Sequence, residues 1–469
     1  MWTRFAVLSV VVVSVGCASP GPRASATRTT ATFARVKAAL DAVPAIDTHD
    51  HLWAFSRLTS ADGARFGEAM NLHTLFRHSY YSLINPLSER KPEESFDAWW
   101  GRARQDFADA RATSFYQYLL PAFQDLYGVD FNRITDAEAR ELDRKIVENY
   151  RDPRWLYHVI TERANIELML VDPYWAGFEY NPDYPFVTWA MNVNGLMGGF
   201  DPSQYGAPPG GPYRFAREHG LRLESPDDYV AVIDRIIADA KNRGAICLKQ
   251  TLAYSRTLEF RNVSRERAAA AWGRSHKEVP VEQARDFEDW LMWRIVELAA
   301  KHDLPLQIHT GQARIQGSNP MLLVDLIESN PRTKFILFHG GFPWVGETGV
   351  IAMRHTSHVW VDSVWMPTLS YTMAKRAFHE WLEVMPADHI LWGGDGTHPE
   401  AIYGATVFTR RCLAEVLAEK IDAGDLPEDQ ALRIGRQILR DNALKLFPSL
   451  KEKLWKHKGP LPVPVAHAG

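Results

Sequence analysis

Residues 304–344 read LPLQIHTGQARIQGSNPMLLVDLIESNPRTKFILFHGGFPW. Two apolar runs stand out in it, LPLQIH (304–309) and KFILFH (334–339), each about as long as a strand and each ending on a histidine. Short apolar runs bounded by Gly, Pro, Asp or Asn are the pattern of strands buried on both faces. An ionisable residue at the end of such a run does not belong in a core, so it marks where the strand meets a site.

The pattern recurs on either side. Further candidate strands are AIDTHDH (45–51), IELMLV (166–171), PFVTWAM (185–191), AICLK (245–249), HVWVDS (358–363) and HILWGG (389–394). Between them lie helical patterns with apolar residues at three- and four-residue spacing, such as DYVAVIDRIIADAKNRG (228–244) and FEDWLMWRIVELAAKH (287–302). Eight strands alternating with helices predict an α/β chain of parallel βα units that closes into a (β/α)8 TIM-type barrel. An open doubly wound sheet is the alternative, weakened because no Gly-rich phosphate fingerprint follows the first strand. Residues 54–160 interrupt the scheme. They hold almost no β-branched runs, as in SFDAWWGRARQDFADARATSFYQYLL, and read as a helical insertion after strand one that would roof a pocket.

Composition narrows the function classes. The 469 residues are 46% hydrophobic and 23% charged, enough apolar material for a large core. With 53 basic against 57 acidic residues the net charge is −4, which argues against nucleic acid as a partner. Three cysteines are too few for a disulfide scaffold, and Cys247, inside an apolar strand, reads as a buried free thiol.

The N-terminal MWTRFAVLSVVVVSVGC (1–17) has Arg4 before an apolar run that stops at small residues, the pattern of an export signal. Val15-Gly16-Cys17 resembles a bacterial lipoprotein box, with Ser14 departing from it. The expectation is export to the cell envelope, with Cys17 lipidated as the only membrane attachment; a soluble periplasmic or secreted protein is the alternative. Residues 18–34 read as a flexible tether, residues 35–450 as the barrel, and 451–469 as a Pro-rich tail.

The chemistry gathers at the strand ends. His49 and His51, two apart in a strand, share one face and can reach one metal ion. Lys249, His309 and His339 end their strands, and HILWGG runs directly into Asp395. In a barrel these ends converge on one rim, where such a set would hold a metal and an activated water. Tyr254 and Arg256 follow Lys249 on the loop above; a guanidinium there would suit a substrate carboxylate, or else be a surface arginine with a partner. His398 and Glu400 read as orienting residues or as a helix cap. Trp344, Trp365 and Trp392 read as pocket lining or core.

This arrangement resembles the amidohydrolase superfamily. The texture of LKQTLAYSRTLEF (248–260), LPLQIHTGQ (304–312), KFILFHGGFPW (334–344), HVWVDSVWMP (358–367) and GGDGTHPE (393–400) is similar to its amidohydrolase-2 type. It is most similar to the amidohydrolase-like domain of some glutamine-synthetase-like proteins. The resemblance implies a divalent metal, zinc by expectation, held by His49, His51, His309 and Asp395, with Asp395 also taking a proton from the attacking water. It implies that His339 binds a second metal or hydrogen-bonds water and substrate. Lys249 would be a carboxylated bridge between two metals, or do other work beside one; one metal is the expectation. The implied activity is hydrolysis of a C–N or C–O bond, amide or ester, in a small molecule. A metal-dependent decarboxylase or uronate-isomerase-like enzyme is the runner-up, a binding scaffold is third, and a homo-oligomer is compatible with the type.

Overall fold

Eight parallel strands pair in chain order, β1 (Ala45–Asp50), β2 (Ile166–Val171), β3 (Val187–Asn192), β4 (Ala245–Gln250), β5 (Leu306–Ile308), β6 (Phe335–Leu337), β7 (Val359–Asp362) and β8 (Ile390–Leu391). The structure is a computed structural model and describes residues 26–59, 69–205 and 211–455. Backbone hydrogen bonds return from β8 to β1: Thr48 N–H donates to Trp392 O (3.1 Å), Asp395 N–H to His49 O (2.9 Å) and His51 N–H to Gly396 O (2.8 Å). These bonds close the (β/α)8 barrel.

The period of two along each strand sorts its side chains. Ile46, Leu168, Leu170, Ala190, Cys247, Ile336, Trp360 and Leu391 form the inner cluster, joined from below by Leu444, Leu446, Phe447 and Leu450 of the C-terminal segment. Val171, Trp189, Met191, Leu248, Ile308, Leu337 and Val361 face the outer helices, among them Pro226–Asn242, Val281–Lys301 and Pro399–Asp422. Polar residues on the inner face, Lys249 and Gln307 included, sit toward the C-terminal rim, above the apolar floor. Between β1 and β2 the described residues form a series of helices, the longest being Phe96–Ala110 and Asp136–Asn149. Cys247 and Cys412 are buried free thiols.

Three sequence expectations need correction. Strands β5, β6 and β8 are shorter than their apolar runs, because the chain turns before the rim residues; His339 (φ 57°) and Asp395 (φ 61°) lie past the strand ends in left-handed backbone. Ordered structure begins before residue 35. Thr30 caps the helix Ala31–Asp41 by accepting from Phe33 N–H (3.0 Å), and Arg28 pairs with buried Glu415 at 2.5 Å, so residues 26–34 are not tether. At the other end Trp455 packs on Tyr157 and Phe186, so the described start of the tail belongs to the barrel. The export signal, Cys17 and residues 456–469 lie outside the described residues. No described helix is long and apolar enough to cross a membrane.

Candidate metal centre

β1 delivers His49 and, one residue past its end, His51 to the C-terminal rim. Their rings meet edge to face at 4.8 Å. Opposite them Asp395 Oδ1 lies 3.3 Å from His51 Nε2 and 3.8 Å from His49 Nε2, and one ligand atom from each of the three fits within 4.8 Å of the others. Asp395 is held by the backbone. Asp47 accepts from His49 N–H (3.0 Å) and Gly394 N–H (3.0 Å), and Asp50 accepts from Gly396 N–H. These two carboxyls hydrogen-bond each other, and burial pushes both up, Asp47 to about 6. They tie β1 to the GGDG loop. A Cβ on Gly394 would stand 3.1 Å from Asp47 Oδ2 and 3.2 Å from Asp50 Oδ1, which explains the glycine.

The histidine tautomers follow from their partners. His51 Nδ1 lies 2.9 Å from Asp172 O, an acceptor only, so Nδ1 carries the proton and Nε2 turns its lone pair to Asp395. His339 Nδ1 likewise donates to Val364 O (3.1 Å). Its Nε2 must then accept, and does so from His309 Nδ1 at 3.0 Å. That leaves His309 Nε2 as a buried lone pair with no partner. Burial, reinforced by Lys249 and the neighbouring rings, holds His49, His309 and His339 well below the usual histidine range. They are neutral, the form a metal requires.

Two expectations change here. His339 has both ring nitrogens committed, so it orients His309 and has none left for a second metal or a water. Arg256 is not at the pocket: its guanidinium is buried against Glu288 (2.8 Å) and Asp289, the Glu259 carbonyl and the face of Phe260. Tyr254 does reach the rim, its ring 4.5 Å from that of His309 and its surface half exposed. Lys249 is buried beneath the site with Nζ 3.5 Å above the Phe338 ring and no hydrogen-bond partner; burial brings it down to about 8. Of the tryptophans, Trp365 stands 5.2 Å from His339, whereas the Trp392 indole donates to Leu439 O in the core. His398 caps the helix Pro399–Asp422, and Glu400 accepts from Tyr127 (2.7 Å), Tyr150 (2.6 Å) and Trp155 (3.0 Å).

Sequence reasoning missed Tyr80, Asp172 and Tyr174. Tyr80 comes from the helical segment, packs tilted against Trp365 at 4.4 Å and hydrogen-bonds Asp395 through its hydroxyl. Phe115 of the same segment stacks on Trp365 at 5.9 Å. Asp172 directly follows IELMLV, so a strand-end acid was there to be read; nothing in the spacing singles out Tyr80.

The donor set fits a divalent cation. Neutral imidazole lone pairs and one carboxylate converge, and His309 Nε2 and Asp395 Oδ1 are buried without hydrogen-bond partners, a costly state unless an ion takes them up.

Comparison with known proteins agrees. The amidohydrolase family model matches residues 209–449, the stretch from before β4 to beyond β8. Protein fluG of Emericella nidulans is 27% identical over 238 residues, 47% of this chain. The match covers 27% of that protein, so the chain spans about a quarter of the curated relative's length. Among solved structures, the glucuronate isomerase of Caulobacter crescentus superposes with a TM-score of 0.68 at 17% identity, covering 94% of this chain and 98% of that one. The uronate isomerase of Thermotoga maritima gives 0.66 at 13% identity, covering 89% and 97%. At those identities the likeness is one of fold.

Proposed function

This chain belongs to the amidohydrolase family, and from that premise we propose that its rim hydrolyses a C–N or C–O bond, of amide or ester type, in a small molecule. The observation that carries the reading is the convergence of His49, His51 and Asp395; His309, whose Nε2 is buried without a partner just past β5, is the further donor we assign to it. These four would hold one divalent ion, zinc by the chemistry of the donors. The ion would supply Lewis acidity toward a carbonyl oxygen and a water acidic enough to be a nucleophile near neutral pH.

The chain's own groups do the rest. Asp395 accepts the proton of the attacking water on the carboxylate oxygen that the ion does not take and returns it to the departing nitrogen or oxygen, so the carboxylate ends each turnover ionised. The Asp47–Asp50 pair keeps its backbone in place. The Val364 carbonyl, through His339, fixes the His309 tautomer that leaves its Nε2 lone pair free. Tyr80 and Trp365 close one side against water. Lys249, resting on Phe338 with no carboxylate in hydrogen-bond contact, supports a single ion and a charged floor over a bridging role. Residues 4–17 support export, with lipidation at Cys17 as the anchor.

The test is the metal-loaded full chain with a panel of N-acyl compounds, esters and lactones in 18O-labelled water. Hydrolysis places one solvent oxygen in the acid product, and Asp395→Asn abolishes it. Turnover releasing carbon dioxide, or interconverting isomers without solvent oxygen, would replace hydrolysis by the lyase or isomerase reading.

A further inference from the structure

Arg57, six residues past His51 on the short helix Phe55–Thr59, sits at the rim between two indoles. Its guanidinium carbon is 3.7 Å from the centre of the Trp53 ring and 5.5 Å from that of Trp175. The Tyr174 hydroxyl hydrogen-bonds it, and the Tyr174 ring packs 5.2 Å from His51 and 5.0 Å from Trp175. Arg57, Tyr174 and His51 therefore stand in a row leading to the metal ligands.

The arginine lacks a counter-ion. Among the described residues no carboxylate pairs with it, and its Nε is buried with no partner. Other buried arginines here have acceptors for most of their N–H groups, although the Arg410 Nε is unpartnered too. Arg256 has Glu288 and Asp289, and Arg410 donates to the carbonyls of Leu40, Asp41, Val43 and Ala164. Beyond the Tyr174 hydroxyl, no acceptor among the described residues takes the N–H groups of this half-buried guanidinium, and donors left so are costly. The aromatic faces hold the plane of the group without consuming the donors along its N–H edge. That edge is a fork matched to a carboxylate, which it binds through two parallel hydrogen bonds. A singly charged carboxylate suits it better than a dianionic phosphate, because Asp172 and Asp395 already crowd the rim with negative charge.

We propose that the substrate carries a carboxylate, remote from the reacting bond, which Arg57 binds while the reacting group lies at His49, His51 and Asp395. The inference rests on the rim being the active site, and it narrows the substrate class to anionic amides or esters.

Straight-chain dicarboxylic acid monoamides from succinamate to suberamate, each paired with its uncharged diamide, are titrated calorimetrically into the full chain as purified, whose metal content is measured on the same sample. At the length that spans the site, the monoamide, with its one carboxylate, should bind about 10- to 100-fold more tightly than the diamide, the range of a charge-assisted fork. Arg57→Met should abolish that preference while leaving diamide affinity near parental. Arg57→Lys, which keeps charge without the fork, should retain only part of it. Equal binding of both members at every length overturns the proposal, as does a preference that survives Arg57→Met in protein with parental thermal stability. Full metal content with no Arg57-dependent preference overturns this inference and leaves the hydrolase reading standing. An Arg57-dependent preference in protein that takes up no metal does the reverse.

Discussion

In the helices between β1 and β2, polar groups find partners as they are buried. Asn71 and Thr74 cap one helix reciprocally at 3.0 and 2.8 Å, Thr135 and Glu138 cap another, and the Trp99 and Trp100 indoles donate to Ser88 O and Asp136. Glu400, reaching into this segment from the barrel, is surrounded by donors. Across the boundary the rim does the opposite. His49 Nδ1, Lys249 Nζ, His309 Nε2 and Asp395 Oδ1 are buried without hydrogen bonds, and His339, Trp365 and Asp395 hold left-handed backbone. Within the helical segment the unpartnered atoms include Trp53 Nε1, Arg57 Nε and His78 Nε2, and these residues face the rim, Trp53 through its bond to Thr397 O. The contrast locates function. Scattered cases occur elsewhere, such as Arg294 Nε, His358 Nε2 and the left-handed Asn165 and Asp303, but four unpartnered atoms and three left-handed residues gathered on one rim mark where a ligand is due, and the satisfied networks hold that place still.

Mutations on the two sides should therefore separate activity from stability. The largest effect belongs to Asp395→Asn, which should lower kcat about 10²- to 10⁴-fold while leaving the melting temperature unchanged or raised. Kinetics with thermal melting read both; a strong loss of stability would mean the rim is structural like the helices. Glu400→Ala should do the converse. It strands Tyr127, Tyr150, Trp155 and His398, and should cost about 3–5 kcal/mol in denaturant unfolding with metal content unchanged.

Gly394→Ala falls between them. The new methyl presses on Asp47 and Asp50, so a cost of about 1–3 kcal/mol should come with a drop in kcat larger than the change in KM.

The smallest effects are in pH dependence, with opposite signs. Burial raises Asp362 to about 7, so the folded state holds a proton that the unfolded chain has released. Its contribution is full in acid, below the ordinary carboxylate range, and is lost as pH rises toward 7. Asp362→Asn should remove that decline. Burial lowers His73, in the helical segment, to about 4. Its contribution is present above about 6.5 and is lost as pH falls through 4. His73→Leu should flatten that acid limb. Melting curves from pH 4 to 8 test both, and identical profiles for parent and variants would contradict them.

The same division governed what could be read in advance. The period-two pair His49 and His51, and the ionisable residues ending apolar runs at 249, 309, 339 and 395, were legible because strand geometry alone puts them on one rim. Arg256 was misplaced because its partners Glu288 and Asp289 lie on a helix some 30 residues onward, a pairing that no local pattern announces. His339 was found, but its task depends on the Val364 carbonyl, which only the fold brings within reach. Tyr80, Arg57 and Tyr174 sit in segments whose positions over the rim are set by tertiary packing. The order at residues 26–34 likewise depends on Glu415, far along the chain.

The most direct test is elemental analysis of the full chain purified without added metal, beside the same chain carrying His49→Ala and His51→Ala. One equivalent of a divalent transition metal in the parent, lost in the double variant at parental thermal stability, is the predicted result. A parent that takes up no metal even after incubation with zinc would contradict the metal-site reading of the rim.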